Sequence, residues 1–256
     1  MYVKIILGDC LQKLPEIFNE SIDLILTDPP YGITNNQWDS IIPFEPMWNQ
    51  LNRITKNNSP ILLFGTEPFS SYLRLSNIKN FKYDWIWNKV TGVGFQIAKS
   101  RPLQSHEIIS VFSKKPGKIN YYPIMIERSK IKHSKMYAKS NVCNLKYNDG
   151  KIRIYTHLYP KSIITVSNAS RKNILHPTQK PIELLEYLIK TYTKENDTIL
   201  DFTAGSFSTA IAAINTNRNF IGIENDLEYF NKAIDRINNH IKLLQCIHTI
   251  NFEIIQ

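Results

Sequence analysis

The stretch from Thr198 to Glu224 leaves this chain the fewest choices of fold. Thr198-Ile199-Leu200-Asp201 is a short apolar run ending in an acid, Phe202-Thr203-Ala204-Gly205-Ser206 is a turn containing glycine, and Ala210 to Ile214 is a helix of small residues. Asn219-Phe220-Ile221-Gly222-Ile223-Glu224 is a second apolar run, again closed by a carboxylate. Continuous apolar runs suit strands covered on both faces, and a helix between two such strands makes them parallel. The second acid lies about 20 residues beyond the glycine turn, where it can hold ribose hydroxyls, so the unit reads as a nucleoside-binding half of a doubly wound sheet.

A second feature lies far upstream. The run Ile22-Asp23-Leu24-Ile25-Leu26-Thr27 reads as a strand and leads into Asp28-Pro29-Pro30-Tyr31. Two prolines fix φ and restrict the residues before them, so the Pro29 carbonyl points in one direction. An exocyclic base amine is a poor nucleophile because its lone pair is delocalised into the ring. A carboxylate and a carbonyl accepting its two N–H bonds would draw the nitrogen toward tetrahedral geometry and stabilise the charge that develops during attack. Asp28 and Pro29 supply those acceptors, and Tyr31 supplies a flat face for an extruded base. Taken alone, the tetrapeptide is equally an ordinary turn from strand to loop; the downstream unit favours the chemical reading.

Four stretches together carry a likeness to a known family: Gly8-Asp9-Cys10-Leu11, Asp28 to Tyr31, His176-Pro177-Thr178-Gln179-Lys180-Pro181, and Asp201 to Ser206 with Glu224. On these the chain resembles the amino-group DNA methyltransferases of the beta arrangement, in which the catalytic motif precedes the cofactor motif. The resemblance implies S-adenosyl-L-methionine as cofactor, double-stranded DNA as partner, and methyl transfer to a flipped-out base. It implies catalytic roles for Asp28, Pro29, Pro30 and Tyr31, and cofactor contacts from Asp201, Phe202, Thr203, Gly205, Ser206 and Glu224. Asp9 resembles the family's acid near the cofactor adenine, and is equally placed to cap a helix over Leu11 to Phe18. Thr178, Gln179 and Lys180 stand at a helix entrance, where free N–H groups and a cation can meet the methionine carboxylate. His176 is read as a turn residue before proline, and Trp38-Asp39 resembles the segment that follows the catalytic loop. No metal is expected, since a sulfonium already makes its methyl group electrophilic.

Relatives with Asp at the first position of the catalytic motif mostly modify adenine, so adenine N6 is the expected target. Cytosine N4, where Ser is commoner, is the alternative; RNA methyltransferases usually begin the motif with Asn. A DNA-binding relative without turnover is the reading from another class, and Phe207 is its hint. Relatives usually carry a second glycine at that position, and a common Pro-Phe pair is replaced here by Phe202-Thr203. Phe207 is expected to turn back into helix packing; otherwise it crowds the ligand.

The remaining pattern gives strands at Tyr2 to Gly8, Pro60 to Gly65, Tyr83 to Trp87 and Glu107 to Ser113. Helices are expected around Phe44 to Ile54, Pro68 to Leu75, Pro181 to Tyr192 and Leu227 to Leu244, with an irregular middle. The expected fold is α/β: a doubly wound, Rossmann-like methyltransferase sheet, circularly permuted, with an inserted target-recognition region. The strand that opens the chain should therefore lie beside the cofactor strands, bringing Asp9, Asp28, Gly205 and Glu224 to one sheet edge. The division is 1–115 for the catalytic half, 116–173 for the basic insert and 174–256 for the cofactor half. Trp85 and Trp87 alternate on a strand and are read as core.

Charge is concentrated in the middle. The chain carries +9 in all, and from Lys114 to Lys172 there are fourteen Lys or Arg against two acids. Interleaved tyrosines make this segment suited to phosphate neutralisation with aromatic contacts, the alternative being a solvated loop. Lys130, Lys132, Lys135 and Lys139 are the expected DNA-binding residues. Three separated cysteines, Cys10, Cys143 and Cys246, argue for reduced thiols rather than a disulfide framework or a zinc site. With no long apolar run and no leader-like start, no membrane association is expected, and the location is the cytoplasm of a bacterial or phage-infected cell. A homodimer and a cognate restriction endonuclease are further partners that the resemblance allows.

Overall fold

Alternate residues of the central strands are buried in opposite directions. This is seen in a computed structural model describing residues 1–33, 39–114, 118–135, 152–168, 179–244 and 250–255. Leu24 and Leu26 of β2 (Leu24–Thr27), with Leu62 and Phe64 of β3 (Ile61–Gly65), pack in one layer, and Ile25, Ile61 and Leu63 pack in the other. The first layer holds α4 (Ile182–Tyr192), α5 (Ser208–Asn215) and α6 (Leu227–Leu244). The second holds α1 (Cys10–Lys13), α2 (Phe44–Ile54) and α3 (Phe69–Ser76). Helices on both faces explain the unbroken apolar runs, since neither side of these strands meets water.

The remaining strands are β1 (Tyr2–Leu7), β4 (Phe81–Val93), β5 (Gln104–Phe112), β6 (Ile126–Lys135), β7 (Ile152–Leu158), β8 (Ile163–Thr165), β9 (Thr198–Asp201), β10 (Asn219–Glu224) and β11 (Asn251–Ile255). Among the described residues, nine form one sheet in the order β11-β1-β10-β9-β2-β3-β5-β4-β8. From β11 to β3 all neighbours are parallel; β5 is antiparallel to both β3 and β4, and β8 runs parallel to β4. The opening strand β1 does lie beside the late strand β10, with Leu7 opposite Glu224. The sheet is the expected doubly wound α/β sheet in circularly permuted order, with β9 placed directly against β2.

Local departures have local causes. The helix expected from Leu11 to Phe18 is a single α-turn followed by a 3₁₀ turn at Leu14–Glu16, because Pro15 has no N–H to continue the helix. The segment expected to be irregular contains β6, β7 and β8. Trp85 and Trp87 are core residues, their indole N–H groups donating to Tyr192 Oη at 2.6 Å and to the Val166 carbonyl at 2.9 Å.

Residues 123–161 form a separate compact unit, while 1–122 and 162–256 form the other. In the smaller unit β6 and β7 pair antiparallel, with Lys132 opposite Tyr155 and Ser134 opposite Arg153, and a register shift between Glu127 and Lys132. On that ribbon Lys132, Ser134, Arg153 and Tyr155 share one face, and His133 and Ile154 lie on the other.

Candidate active site

Because β1, β10, β9 and β2 run parallel, the residues that end them leave the sheet at one edge. A cavity of about 480 Å³ opens there, and Asp9, Asp28, Tyr31, Lys180, Gly205 and Glu224 all line it. This is where open α/β sheets bind ligands, and the volume suits a nucleotide-sized molecule.

The far end of the cavity is built on backbone donors. Gly205 adopts φ +52°, a conformation natural to glycine, and its N–H donates to Glu224 Oε2 at 2.6 Å. Glu224 Oε1 accepts from Asp226 N–H at 2.9 Å. Burial raises this carboxyl above its ordinary range, and the backbone donors act against the rise. Asp9 Oδ1 caps α1, accepting from Leu11 and Gln12 N–H at 2.9 and 3.2 Å. The residue is exposed and lines the cavity, so capping leaves it available to a ligand as well.

Asp201 also lines the cavity and has a second, structural role. It is 4% exposed and accepts from Thr27 Oγ1 at 3.0 Å and Thr209 Oγ1 at 2.6 Å, joining β9 to β2 and α5. Burial pushes its carboxyl up to about 7. Phe202 is buried, its N–H donating to Thr27 Oγ1, and the Thr203 hydroxyl donates to the Asp28 carbonyl at 3.0 Å. These bonds tie the turn after β9 to the turn after β2. Ser206 Oγ lies 3.1 Å from Ser208 Oγ, and the Ser206 carbonyl accepts from Arg236 at 2.7 Å. Phe207 has φ +54°, explaining why glycine suits this position, yet its ring is fully buried against Phe220 and Phe230 with centroids 6.2 Å away in each case. It turns into the packing and does not crowd the ligand turn.

At the near end Asp28 is held from two sides. Its Oδ1 accepts from the Tyr31 hydroxyl and its Oδ2 from the Lys180 ammonium. Lys180 also lies 3.4 Å from Glu107 Oε2, and Glu107 Oε1 accepts from Lys89. Two carboxylates and two ammonium groups therefore form one partly buried chain, in which Lys89 and Lys180 are buried and Asp28 is the most exposed member. Burial raises the Asp28 carboxyl, and the charge of Glu107 adds to this against the opposing Lys180. Burial would raise Glu107 too, but the two flanking ammonium groups prevail and hold it below its ordinary range. Tyr31 is pushed well above the usual phenol value by burial and by Asp28, so it remains a donor. Its ring packs on Phe69 with centroids 5.0 Å apart.

Asp39 fixes the loop that carries these groups. Its Oδ1 accepts from Tyr31 and Gly32 N–H at 2.7 and 2.9 Å, and its Oδ2 from Ile33 N–H at 3.0 Å. Pro29 is buried and Pro30 partly so, and both line the cavity.

Most of the expected site residues thus meet in one place. Gln179 lines the cavity with Lys180, just before α4, while Thr178, His176, Trp38 and Lys139 lie outside the described residues, as do Cys143 and Cys246. Lys130, Lys132 and Lys135 belong to β6 in the separate unit, Lys130 and Lys132 being exposed. Sequence reasoning missed Lys89 and Glu107. The available signal was a charged residue flanking an apolar stretch, Glu107 before Ile108-Ile109-Ser110-Val111-Phe112 and Lys89 after Trp87-Asn88.

The residues present fit S-adenosylmethionine. Asp9 and Glu224 offer carboxylates for the nucleoside, and Gly205 brings backbone close without a side chain. Among the described residues no cluster of His, Cys, Asp or Glu is arranged to hold a metal ion, and no helix is long and apolar enough to cross a membrane.

Comparison with known proteins agrees with this geometry. A family model described as DNA methylase, for N6 and N4 methyltransferases, matches residues 22–235. The chain is 31% identical over 247 residues to the type II methyltransferase M1.MboII of Moraxella bovis, covering 88% of this chain and 92% of that protein. It is 29% identical over 261 residues to the DNA adenine methyltransferase YhdJ of Escherichia coli K12, covering 91% and 82%. Among solved structures, an M1.HpyAVI complex with S-adenosylmethionine superposes with a TM-score of 0.63 at 26% identity, covering 92% of this chain and 99% of that one. The cytosine-N4-specific PvuII methyltransferase superposes with a TM-score of 0.64 at 16% identity, covering 98% and 96%, which is a likeness of fold alone. The chain therefore belongs to the DNA methylase family of N6 and N4 amino-group methyltransferases, enzymes dependent on S-adenosylmethionine.

Proposed function

We propose that this DNA methyltransferase acts on adenine N6 of a base flipped out of duplex DNA. The observation that carries this reading is the meeting of Asp28 and Tyr31 with Gly205 and Glu224 in one cavity. When bound, S-adenosylmethionine supplies an electrophilic methyl group. Asp9 and Glu224 would hold its nucleoside end, with the turn at Gly205 and Ser206 against it and Gln179 near its charged tail. Asp28 and the Pro29 carbonyl orient the target amine by accepting its N–H bonds, and proximity with preorganised acceptors accounts for most of the acceleration. A carboxyl held above its ordinary range is suited to take the proton that the amine sheds. Tyr31 presents its ring to the flipped base, Asp39 keeps the loop in shape, and Thr203 fixes the Asp28 carbonyl.

Adenine is supported by Asp at the head of the motif and by the 29% identity to an adenine methyltransferase. Residues 123–161 are proposed as the target-recognition unit. Their two-stranded ribbon has the dimensions that a DNA major groove admits, and exposed Lys130 and Lys132 suit phosphate contacts, with Lys135 on the same strand. A restriction-modification role with a cognate endonuclease, in the cytoplasm, fits likeness to type II methyltransferases. The burial of Phe207 removes the hint of a relative without turnover.

The test is modified-base analysis of DNA incubated with the enzyme and cofactor. N6-methyladenine is expected, and N4-methylcytosine would transfer the same acceptor chemistry to the other amine. Asp28→Ala should lower the rate by about 10² or more with cofactor binding preserved; near-normal turnover would exclude its role.

A further inference from the structure

In this structure the Lys180 ammonium donates to Asp28, the carboxylate read above as acceptor for the target amine. Both Asp28 oxygens are engaged, Oδ1 by Tyr31 and Oδ2 by Lys180, and a base amine must take at least one of them. Pulling a buried ammonium from its carboxylate is strongly unfavourable if it finds no other partner. A second partner is at hand. Glu107 Oε2 is buried, has no hydrogen bond among the described residues, and lies 3.4 Å from Lys180 Nζ. The other oxygen of Glu107 is already held by Lys89, so the carboxylate is anchored in place. The Phe64 ring, 5.2 Å from the same ammonium, gives it an aromatic face.

We propose that Glu107 is a positioning residue for methyl transfer: when the target amine enters, the Lys180 ammonium moves its hydrogen bond from Asp28 Oδ2 to Glu107 Oε2, which frees Oδ2 for the amine. This rests on the reading of Asp28 as the amine acceptor. A closing of about 0.5 Å turns the present ion pair into a charge-assisted hydrogen bond, well within the reach of a lysine side chain. No net charge enters or leaves, because Asp28, Glu107, Lys89 and Lys180 sum to zero before and after. Among the described residues, the other titratable groups acting on Asp28 are Tyr31, on its own loop, and Asp201, at the end of the neighbouring strand β9. The opposite displacements of the two carboxyls suit the exchange: Glu107, held low by its two ammonium neighbours, remains an anion for Lys180, while Asp28 is held high.

The experiment uses Glu107→Gln, which keeps the shape and loses the charge. Duplexes are compared that carry either the target base or its amine-free analogue at the same position, purine for adenine or 2-pyrimidinone for cytosine. Only the amine-bearing base has to displace Lys180. The variant should therefore bind the amine-bearing duplex about tenfold more weakly and the amine-free duplex as the parent does, with unchanged cofactor affinity. Equal weakening for both duplexes, or none for either, overturns the exchange. If Glu107→Gln loses cofactor binding and so fails to fold, Lys180→Met decides. Removing the displaced ammonium should shift discrimination toward the amine-bearing duplex by a similar factor, and no shift refutes the proposal. Near-normal turnover by Asp28→Ala would instead break the underlying reading, so the two failures are distinguishable.

Discussion

Gly222→Ala tests how this chain accommodates a phenylalanine at its cofactor turn. A Cβ added at 222 would lie 2.6 Å from Phe207 Cε1 and 2.6 Å from Phe220 Cε1, closer than carbon atoms approach. Neither ring can retreat easily, because Phe207, Phe220 and Phe230 are all fully buried and both of the others pack against Phe207. Overpacking of this kind costs about 1–3 kcal/mol. For a chain of this size each kcal/mol lowers the melting temperature by roughly 2–4 °C, so a fall of about 2–12 °C is expected in a thermal melt. The displacement should also reach the ligand turn. Phe207 N–H donates to the Ala204 carbonyl at 2.7 Å, and Gly205 between them donates to Glu224. Titration calorimetry should thus record weaker S-adenosylmethionine binding. Phe207→Leu withdraws one of the two clashing rings, so the double variant should lose less than the sum of the singles, by about 0.5–3 kcal/mol. Parental stability in Gly222→Ala, or strict additivity in the double variant, would refute this account of the departure at Phe207.

Three further outcomes are expected. Asp201 has a carboxyl raised by burial from 3.8 to about 7, so its stabilising contribution is complete below about pH 4 and is lost as pH rises through about 7. This amounts to about 4 kcal/mol at most, and Asp201→Asn should flatten the pH dependence of urea unfolding between those limits; the same pH dependence in both proteins would contradict the assignment. Glu224→Ala should weaken cofactor binding by about 1–3 kcal/mol, measured by calorimetry, since it also releases the Gly205 and Asp226 N–H groups that shape the turn. Replacing Lys130, Lys132 and Lys135 together by Ala should lower duplex affinity for all sequences alike and reduce the slope of log affinity against log salt by about 2–3, leaving cofactor affinity unchanged. An unaltered slope would assign these lysines to solvation and send the search for the DNA surface elsewhere.

Directions of strands were legible only where the chain declared them. The helix between β9 and β10 forces a parallel pair, and the motif order placed β1 beside them, so the edge that gathers Asp9, Asp28, Gly205 and Glu224 followed from sequence. An apolar run such as Ile108 to Phe112 reads the same in either direction. Nothing in it says that β5 runs antiparallel to β3, and it is this reversal that brings Glu107, in its N-terminal half, to the same edge as Asp28 beyond the end of β2. The β6–β7 ribbon escaped notice for another reason. Its alternation sets lysines against exposed isoleucines, with Ile131, Ile152 and Ile154 each about 60% exposed, so it lacks the buried face by which strands are recognised.

Residue chemistry divides along the same line. The identities of Asp28, Pro29, Gly205 and Glu224, and their positions at strand ends, were sufficient to propose an acceptor pair and a nucleoside turn, because such readings depend on local backbone and on one side chain. Lys180 was read as a cation beside the cofactor tail, and the fold gives it a partner 152 residues away in Asp28 and another in Glu107. Asp201 was read as a cofactor contact; it lines the cavity, and the fold also binds it to Thr27 and Thr209, joining strand and helix. Sequence by itself determined the α/β class, the place of β1 beside the cofactor strands and the edge that gathers the motif residues, since periodicity and motif order act through short-range sterics and handedness. Only the tertiary structure decided which charges face one another in the cavity, because Coulombic pairing depends on separations of a few ångströms between residues that no spacing along the chain relates.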